Sequence, residues 1–439
     1  MPYRPGSRLP GERAGKLNHL DVLHSPLVNA LVRQFETPNS EQEGTGDGDD
    51  ELEPKWTPFP EGGEPLRLVF AVDGSLQVVG SEGFPTRELA FVKTALLRVD
   101  AVAVERLDPF APHPMRLKDI LSEAALYHAT AFPLRNLSLP GESNYNAIRK
   151  IIFESIKDES LHGEPMSTLK WLAYEKWSSR RPLSPGFQCP ICEEEIEGLP
   201  YDAEEGECPH CASHVYLSDM LGFHLEMGED SAPQSVASSY MLIHETLLLF
   251  TGIKHYWESN PRLLNRCLFV KDGPLTLRSQ YSKLVIPIRR LFQDALARGI
   301  TIHMFGQEKS GAFVEHLASI QRFAPSGPIV FAPSEKYIRT NVQSAPLRKE
   351  PYGLRTNYGS KLFVKLDDYH HLVLSTPIGE YDANPTLQQY IGITNILATL
   401  PQLVSHRHEC ALVPIVLANG VASLSTYPSA QILRLFAGL

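Results

Sequence analysis

The segment LRLVFAVDGS, residues 66–75, decides how the chain is read. Apart from Arg67 its first seven residues form an apolar run of strand length, and Asp73-Gly74 ends that run. LQVV (76–79) reads as a second short strand and ELAFVKTALLRVD (88–100) as a third, so short turns should link them into an antiparallel meander. CLFVKDGPL (267–275) ends an apolar strand in the same way, at Asp272-Gly273, yet a helix follows within a dozen residues and no hairpin partner lies nearby. Two acids at strand ends, directed to one edge of a sheet, could share a divalent metal. Asp-Gly is also the commonest two-residue hairpin connection, so a plain turn at Asp73 stays open.

Outward from these strands, helical spacing of apolar residues predicts helices over about 117–132, 145–161, 166–177, 217–227, 235–256, 284–298, 312–321 and 386–403, with a last one near Ile415. ITIHMF (300–305), PIVF (328–331) and the pair KLFVKL (361–366) and LVLSTPI (372–378) read as strands. Strands alternating with helices define an α/β layer. Residues 1–65, rich in Pro, Gly, Ser and acid, are expected to be a flexible arm with one helical patch at about 22–35. The folded part then divides into 66–186, an insertion at 187–216, and 217–439.

Hydrophobic residues make up 43% and charged residues 21% of the 439, a balance that excludes wholesale disorder and fibrous classes. The longest apolar stretch, 240–253, is interrupted by His244 and Glu245 and reads as too short to cross a bilayer. The first twenty residues carry bases without an apolar core, so the expectation is a cytoplasmic protein with no membrane partner. The net charge of −10 argues at first against nucleic acid. It is unevenly placed: residues 41–53 hold seven acids and residues 193–207 hold eight, with no base in either. Taking those fifteen charges from the total leaves the remainder at +5.

Cys189-Pro-Ile-Cys192 and Cys208-Pro-His-Cys211 are two Cys-x-x-Cys pairs fifteen residues apart. Each can form a tight knuckle presenting two thiolates to one tetrahedral ion, so a structural Zn²⁺ in a zinc ribbon is expected. The acidic stretch between the pairs would repel phosphate, which favours a protein contact or simple stabilisation over DNA binding. Cys267 and Cys410 sit alone in apolar surroundings, as small core residues do.

Glu245 has Met241, Leu248 and Leu249 on its helical face and should point into the core. A buried carboxylate needs a metal, a cation or hydrogen bonds, and a nearby Lys or His would serve as well as a metal. Oxygen donors without Cys or His suit Mg²⁺ or Mn²⁺, ions that activate water against a phosphodiester.

AVDGS (71–75), the helix acid, FVKDGPL (269–275), QEKSG (307–311), KLFVKL (361–366) and VPIVLANGVASL (413–424) occur in an order and spacing that resembles the NurA nucleases, over about 66–424. The resemblance implies an RNase H-like α/β fold, a mixed sheet flanked by helices. It also implies Mn²⁺-dependent activity on DNA ends or single strands, a homodimer, and a HerA-type hexameric ATPase as partner. Carried over position by position, Asp73 and Asp272 match the metal-binding aspartates and Glu245 is the candidate for the acid between them. Lys309 falls where the family has a lysine near the scissile phosphate, although a solvated surface lysine fits the sequence equally. Asn419 stands where the family has a histidine; it can offer a carbonyl oxygen but not act as a base. The four-cysteine ribbon is an addition to the family's simpler form.

Arg348, Lys349, Arg355 and Lys361 interleave with Tyr352 and Tyr358, a mixture that suits single-stranded DNA or an ordinary solvated loop. His370 and His371 read as a hairpin surface feature. The resulting expectation is a divalent-metal-dependent deoxyribonuclease in DNA end processing or anti-phage defence. Two alternatives are a NurA-like scaffold that docks on and regulates a DNA-translocating ATPase, and an RNase H-like enzyme acting on RNA.

Overall fold

A computed structural model describes residues 24–34, 52–105, 125–178, 181–227, 234–346, 348–405, 411–425 and 428–439. The chain divides into a unit within Met1–Asp50, which holds helix Pro26–Gln34, and a second unit, Glu51–Leu439.

The second unit is built on a mixed sheet of nine strands among the described residues. In chain order they are β1 (Thr57–Pro58), β2 (Leu68–Gly80), β3 (Glu88–Asp100), β4 (Ala125–Arg135), β5 (Cys267–Asp272), β6 (His303–Glu308), β7 (Ile329–Phe331), β8 (Ser360–Lys365) and β9 (His371–Thr376). Across the sheet they run β1-β7-β8-β9-β6-β5-β2-β3-β4. The three central strands β6, β5 and β2 are parallel, with Leu68 opposite Cys267 and Val72 opposite Lys271, and every other neighbour is antiparallel. Parallel strands need covered faces, which is why β5 is apolar on both sides and fully buried as far as Lys271.

Among the described residues of this unit, eight helices of eight or more residues flank the sheet: α1 (Asn144–Ile156), α2 (Glu164–Ala173), α3 (Gln234–Ser259), α4 (Val285–Ala297), α5 (Ala312–Ile320), α6 (Ile393–Leu403), α7 (Val413–Ala422) and α8 (Ser429–Phe436). One face of the sheet, carrying Phe70, Val72 and Phe269, packs under α3 with α1, α2 and α4 around it. The other, carrying Val69, Ala71, Val270 and Phe305, packs under α6 and α7. A smaller cluster around Phe313, Phe331 and Phe363 closes the β7–β9 side.

The structure corrects the sequence reading in four places. Asp73-Gly74 is no turn: β2 runs straight through it for thirteen residues, because Asp73 pairs with Ala95 and Gly74 with Thr94 on an equally long β3. Residues 125–132 are strand, not helix, while 117–124 lie outside the described residues. In that segment His128 and Phe132 are buried while Tyr127 and Ala129 are exposed, a strand's alternation, and Pro133 is tolerated near its end because an edge strand has a side without a partner. The arm is shorter than residues 1–65: Thr57–Pro58 pairs with β7, Trp56 lies against Phe331, and the Leu66 amide donates to Thr399 Oγ1. Residues 1–23 and 35–51 lie outside the described residues, as does Cys410. Finally, α3 is long and apolar enough to cross a membrane by length and composition, but 78% of its apolar window is buried in the fold, as in a core helix. Its last turns, past Ile253, complete a length the run 240–253 lacked.

Candidate functional site

The four cysteines stand on two knuckles built alike. In each, the residue after the second cysteine takes a left-handed backbone, Glu193 at φ 62° and Ala212 at φ 58°, and its amide donates to the carbonyl of the first cysteine, Cys189 or Cys208. Ile191 N then donates to Cys189 Sγ at 3.5 Å and His210 N to Cys208 Sγ at 3.4 Å. Cys189 and Cys211 Sγ are 3.8 Å apart, Cys192 and Cys208 Sγ 3.7 Å, and one ligand atom from each of the four lies within 4.8 Å of the others. These separations are far too long for disulfides. They match the edge of a tetrahedron with metal–sulfur bonds of about 2.3 Å, which is about 3.8 Å. The site could therefore hold a structural metal such as zinc. Two small hairpins, Phe187–Gln188 with Glu195–Ile196 and Glu205–Glu207 with His214–Tyr216, frame it.

The acids gather at the carboxyl ends of β2 and β5. Asp73 and Asp272 follow directly on the last paired positions of these strands, Val72 and Lys271, so strand alternation sends both to the face opposite α3. Asp73 is buried; Oδ1 accepts from the Gly74 amide at 2.7 Å, and Oδ2 is buried with no hydrogen-bond partner. Burial, then the nearby charges of Asp272 and Glu245, push its carboxyl up to about 7, against the pull of the Gly74 amide and Lys309. Asp272 is partly exposed, and its Oδ2 accepts from Lys309 Nζ at 2.8 Å.

Glu245 arrives from α3, on the other side of the sheet end, and its Oε2 accepts from Lys271 Nζ at 2.5 Å with both side chains buried. Lys271 also donates to the Asp272 carbonyl. Burial raises the Glu245 carboxyl, and Lys271 opposes that. Gly74 makes this approach possible, since a Cβ there would stand 2.5 Å from Glu245 Oε1 and 2.6 Å from Met241 Cγ. Of the two partners weighed for Glu245 from the sequence, the structure supplies the lysine.

Among the described residues only the cysteines bring three or more candidate ligand atoms within 4.8 Å of one another. Asp73, Glu245 and Asp272 share one end of the sheet at a wider spacing, with Lys309 joined to the last of them. Asn419 is exposed on the final turns of α7. That end of the helix is tied to the site strands by Lys93 Nζ donating to the Val421 carbonyl at 2.6 Å and the Leu424 amide donating to Ser75 Oγ at 3.0 Å.

The basic loop differs from its sequence reading. Arg348, Lys349 and Arg355 are exposed. Tyr358 and Lys361 are buried, Lys361 in an ion pair with Glu308, so these two are not presented to a strand of nucleic acid, and Tyr352 is half-buried against Phe313. The physical cause is β8, which starts at Ser360 and draws the residues on either side into the core. His371 is likewise buried, while His370 bonds to Asp367.

Lys271 and Gly74 were missed from the sequence. A lysine in the middle of the apolar run CLFVKD is a signal in itself, because it must bury its ammonium against an acid.

With Asp73 titrating in the fold near 7 against an ordinary value near 4, the sign of its pH effect follows. The folded state favours the protonated carboxyl, so stability is greatest below about pH 4, declines as pH rises to about 7, and is level above that. Asp73→Asn should abolish this decline and exceed the wild type by up to about 4 kcal/mol at pH 8. Urea unfolding across pH, in buffer that retains zinc but holds no Mg²⁺ or Mn²⁺, measures it; parallel curves for the two proteins would contradict the burial argument.

The fold and its two clusters define an α/β protein with a large helix-flanked mixed sheet and four cysteines placed so that they could hold a metal. Comparison of the chain with protein-family models and with curated protein sequences gave no match.

Proposed function

We propose that the chain is a divalent-metal-dependent deoxyribonuclease with an RNase H-like core, one structural Zn²⁺ in the ribbon, and Mn²⁺ or Mg²⁺ at the carboxylates. The observation that carries this reading is Asp73: a buried carboxylate oxygen with no partner, beside a second acid at the end of the adjacent parallel strand. Burying such a group without compensation is costly, and a divalent cation would supply the compensation. The strand order β4-β3-β2-β5-β6, with β2, β5 and β6 parallel and β3 antiparallel, supports the RNase H-like assignment. In this reading Asp73 and Asp272 hold the metal, Glu245 supports it, and Lys309, now on Asp272, moves to the phosphate. The resemblance to NurA nucleases extends the proposal to DNA ends or single strands, a homodimer, and a HerA-type ATPase in the cytoplasm, for repair or anti-phage defence.

Linear and single-stranded DNA incubated with Mn²⁺ should be degraded by the wild type, and Asp73→Ala should lose roughly a hundredfold or more of that rate. Equal digestion by both proteins would refute the assignment.

A second reading rests on a specific observation. Lys271 and Lys309 already neutralise Glu245 and Asp272, as they would in a scaffold that keeps the fold and regulates a translocating ATPase without cutting. Absence of cleavage, together with no Mn²⁺ binding by calorimetry, would select it.

A further inference from the structure

The longest stretch of one-sided charge in the chain surrounds a cleft that the carboxylate site does not use. Between Arg181 and Lys254 the sequence holds thirteen acids and no lysine or arginine. Part of that charge is spent within the fold: Lys170 and Lys176 pair with Asp202, Lys157 and Lys170 with Glu204, and Arg149 with Asp219. Glu193, Glu194, Glu195 and Glu197 remain exposed on and just past the first knuckle. Beside them lies a cleft of about 830 Å³ between that knuckle, the start of α1 and the turn 223–227.

Two features mark the cleft as built to receive something. Its walls offer apolar side chains to solvent, Ile191 at 47% and Leu225 at 50% exposure. His224 lines it and is only 7% exposed, set against the Gln188 backbone in the same wall. The walls are also fixed, because Tyr145 Oη donates to the Pro190 carbonyl at 2.8 Å and ties α1 to the knuckle.

We infer that this cleft is a docking site for a segment of a partner protein that presents an apolar side chain flanked by lysine or arginine. The apolar residue fills the space between Ile191 and Leu225, and its basic neighbours meet the glutamate rim. The same rim repels phosphate, so nucleic acid is not the occupant. The site is distinct from the carboxylates and does not depend on their chemistry.

The test is selection of a random twelve-residue peptide display library on the full-length, zinc-loaded protein, followed by fluorescence anisotropy with the enriched peptides. Enriched sequences should pair an apolar residue with flanking Lys or Arg. Ile191→Asp and, separately, Leu225→Asp should weaken their binding at least tenfold with zinc content and circular dichroism unchanged. Asp73→Ala should leave binding as it is. Glu193→Lys gives a milder second probe and should weaken binding more at low salt than at high salt. Failure to enrich any sequence, enrichment of acidic peptides, displacement by a single-stranded oligonucleotide, or indifference to both apolar substitutions would overturn the inference.

Discussion

Stripping the metal from the four cysteines should unfold much more than the ribbon. Cys189 and Cys208 belong to the same buried cluster as Phe153, Trp171, Leu247 and Phe269, together with Phe187, Ile196 and Val215 from the two hairpins and Leu199 between them. The insertion is thus a wall of the main core. Polar ties reinforce it: Tyr174 Oη donates to the Ala203 carbonyl, and Arg149, buried against Asp219, also reaches the His214 carbonyl. The hairpin strands are only two or three residues long, too short to hold this geometry by pairing alone, and an ion on the four cysteines would fix it. Structural zinc sites of this type bind with roughly 10 kcal/mol or more, and that binding energy is folding energy. Cys208→Ser, or treatment with a zinc chelator, should therefore lower stability by about 5 kcal/mol or more and expose core tryptophans. Zinc stoichiometry, thermal melting and tryptophan fluorescence measure it together. A metal-free protein that melts with the wild type would show that the ribbon is an ornament on an independent core.

Lys271→Met should be the most damaging single substitution at the carboxylate end. Among the described residues it removes the one cation bonded to Glu245, which α3 carries to the sheet end opposite Gly74 and which is buried from solvent. Breaking a buried pair from one side costs about 3–5 kcal/mol, because a charge is left uncompensated, while replacing both partners costs much less. Lys271→Met with Glu245→Leu should accordingly recover most of the loss, and urea unfolding of the two single variants and the double variant gives the coupling. The same variants bear on function. If Glu245 lies within reach of the proposed metal, millimolar Mn²⁺ should restore part of the stability lost in Lys271→Met but none in the double variant. Equal stability of Lys271→Met and wild type in metal-free buffer would remove the ion pair from this account.

Local pattern carried much of this structure. The helices α1, α2, α3, α4 and α5 and the strands β5 to β9 follow from apolar spacing, since a helix or strand with one buried face repeats at its own period. The exceptions have identifiable causes. Residues 125–132 are apolar enough for either period, and their place at the sheet edge settles the matter. Asp-Gly at 73–74 carries a strong turn signal, which the long antiparallel partner β3 overrides by pairing both residues. Tyr358 and Lys361 have the composition of a nucleic-acid loop, yet the adjoining strand buries them.

Alone, the amino-acid sequence determined the grouping of the four cysteines, because the spacing within and between two Cys-x-x-Cys pairs is a local property that dictates where four sulfurs can go. It also marked Asp73, Asp272 and Glu245 as acids in need of partners. Which partner each one has was decided only by the tertiary structure. Residues 73, 245, 271 and 309 are distant along the chain, and electrostatics at a sheet end depends on which strands lie side by side, in which register, and on which face each side chain emerges.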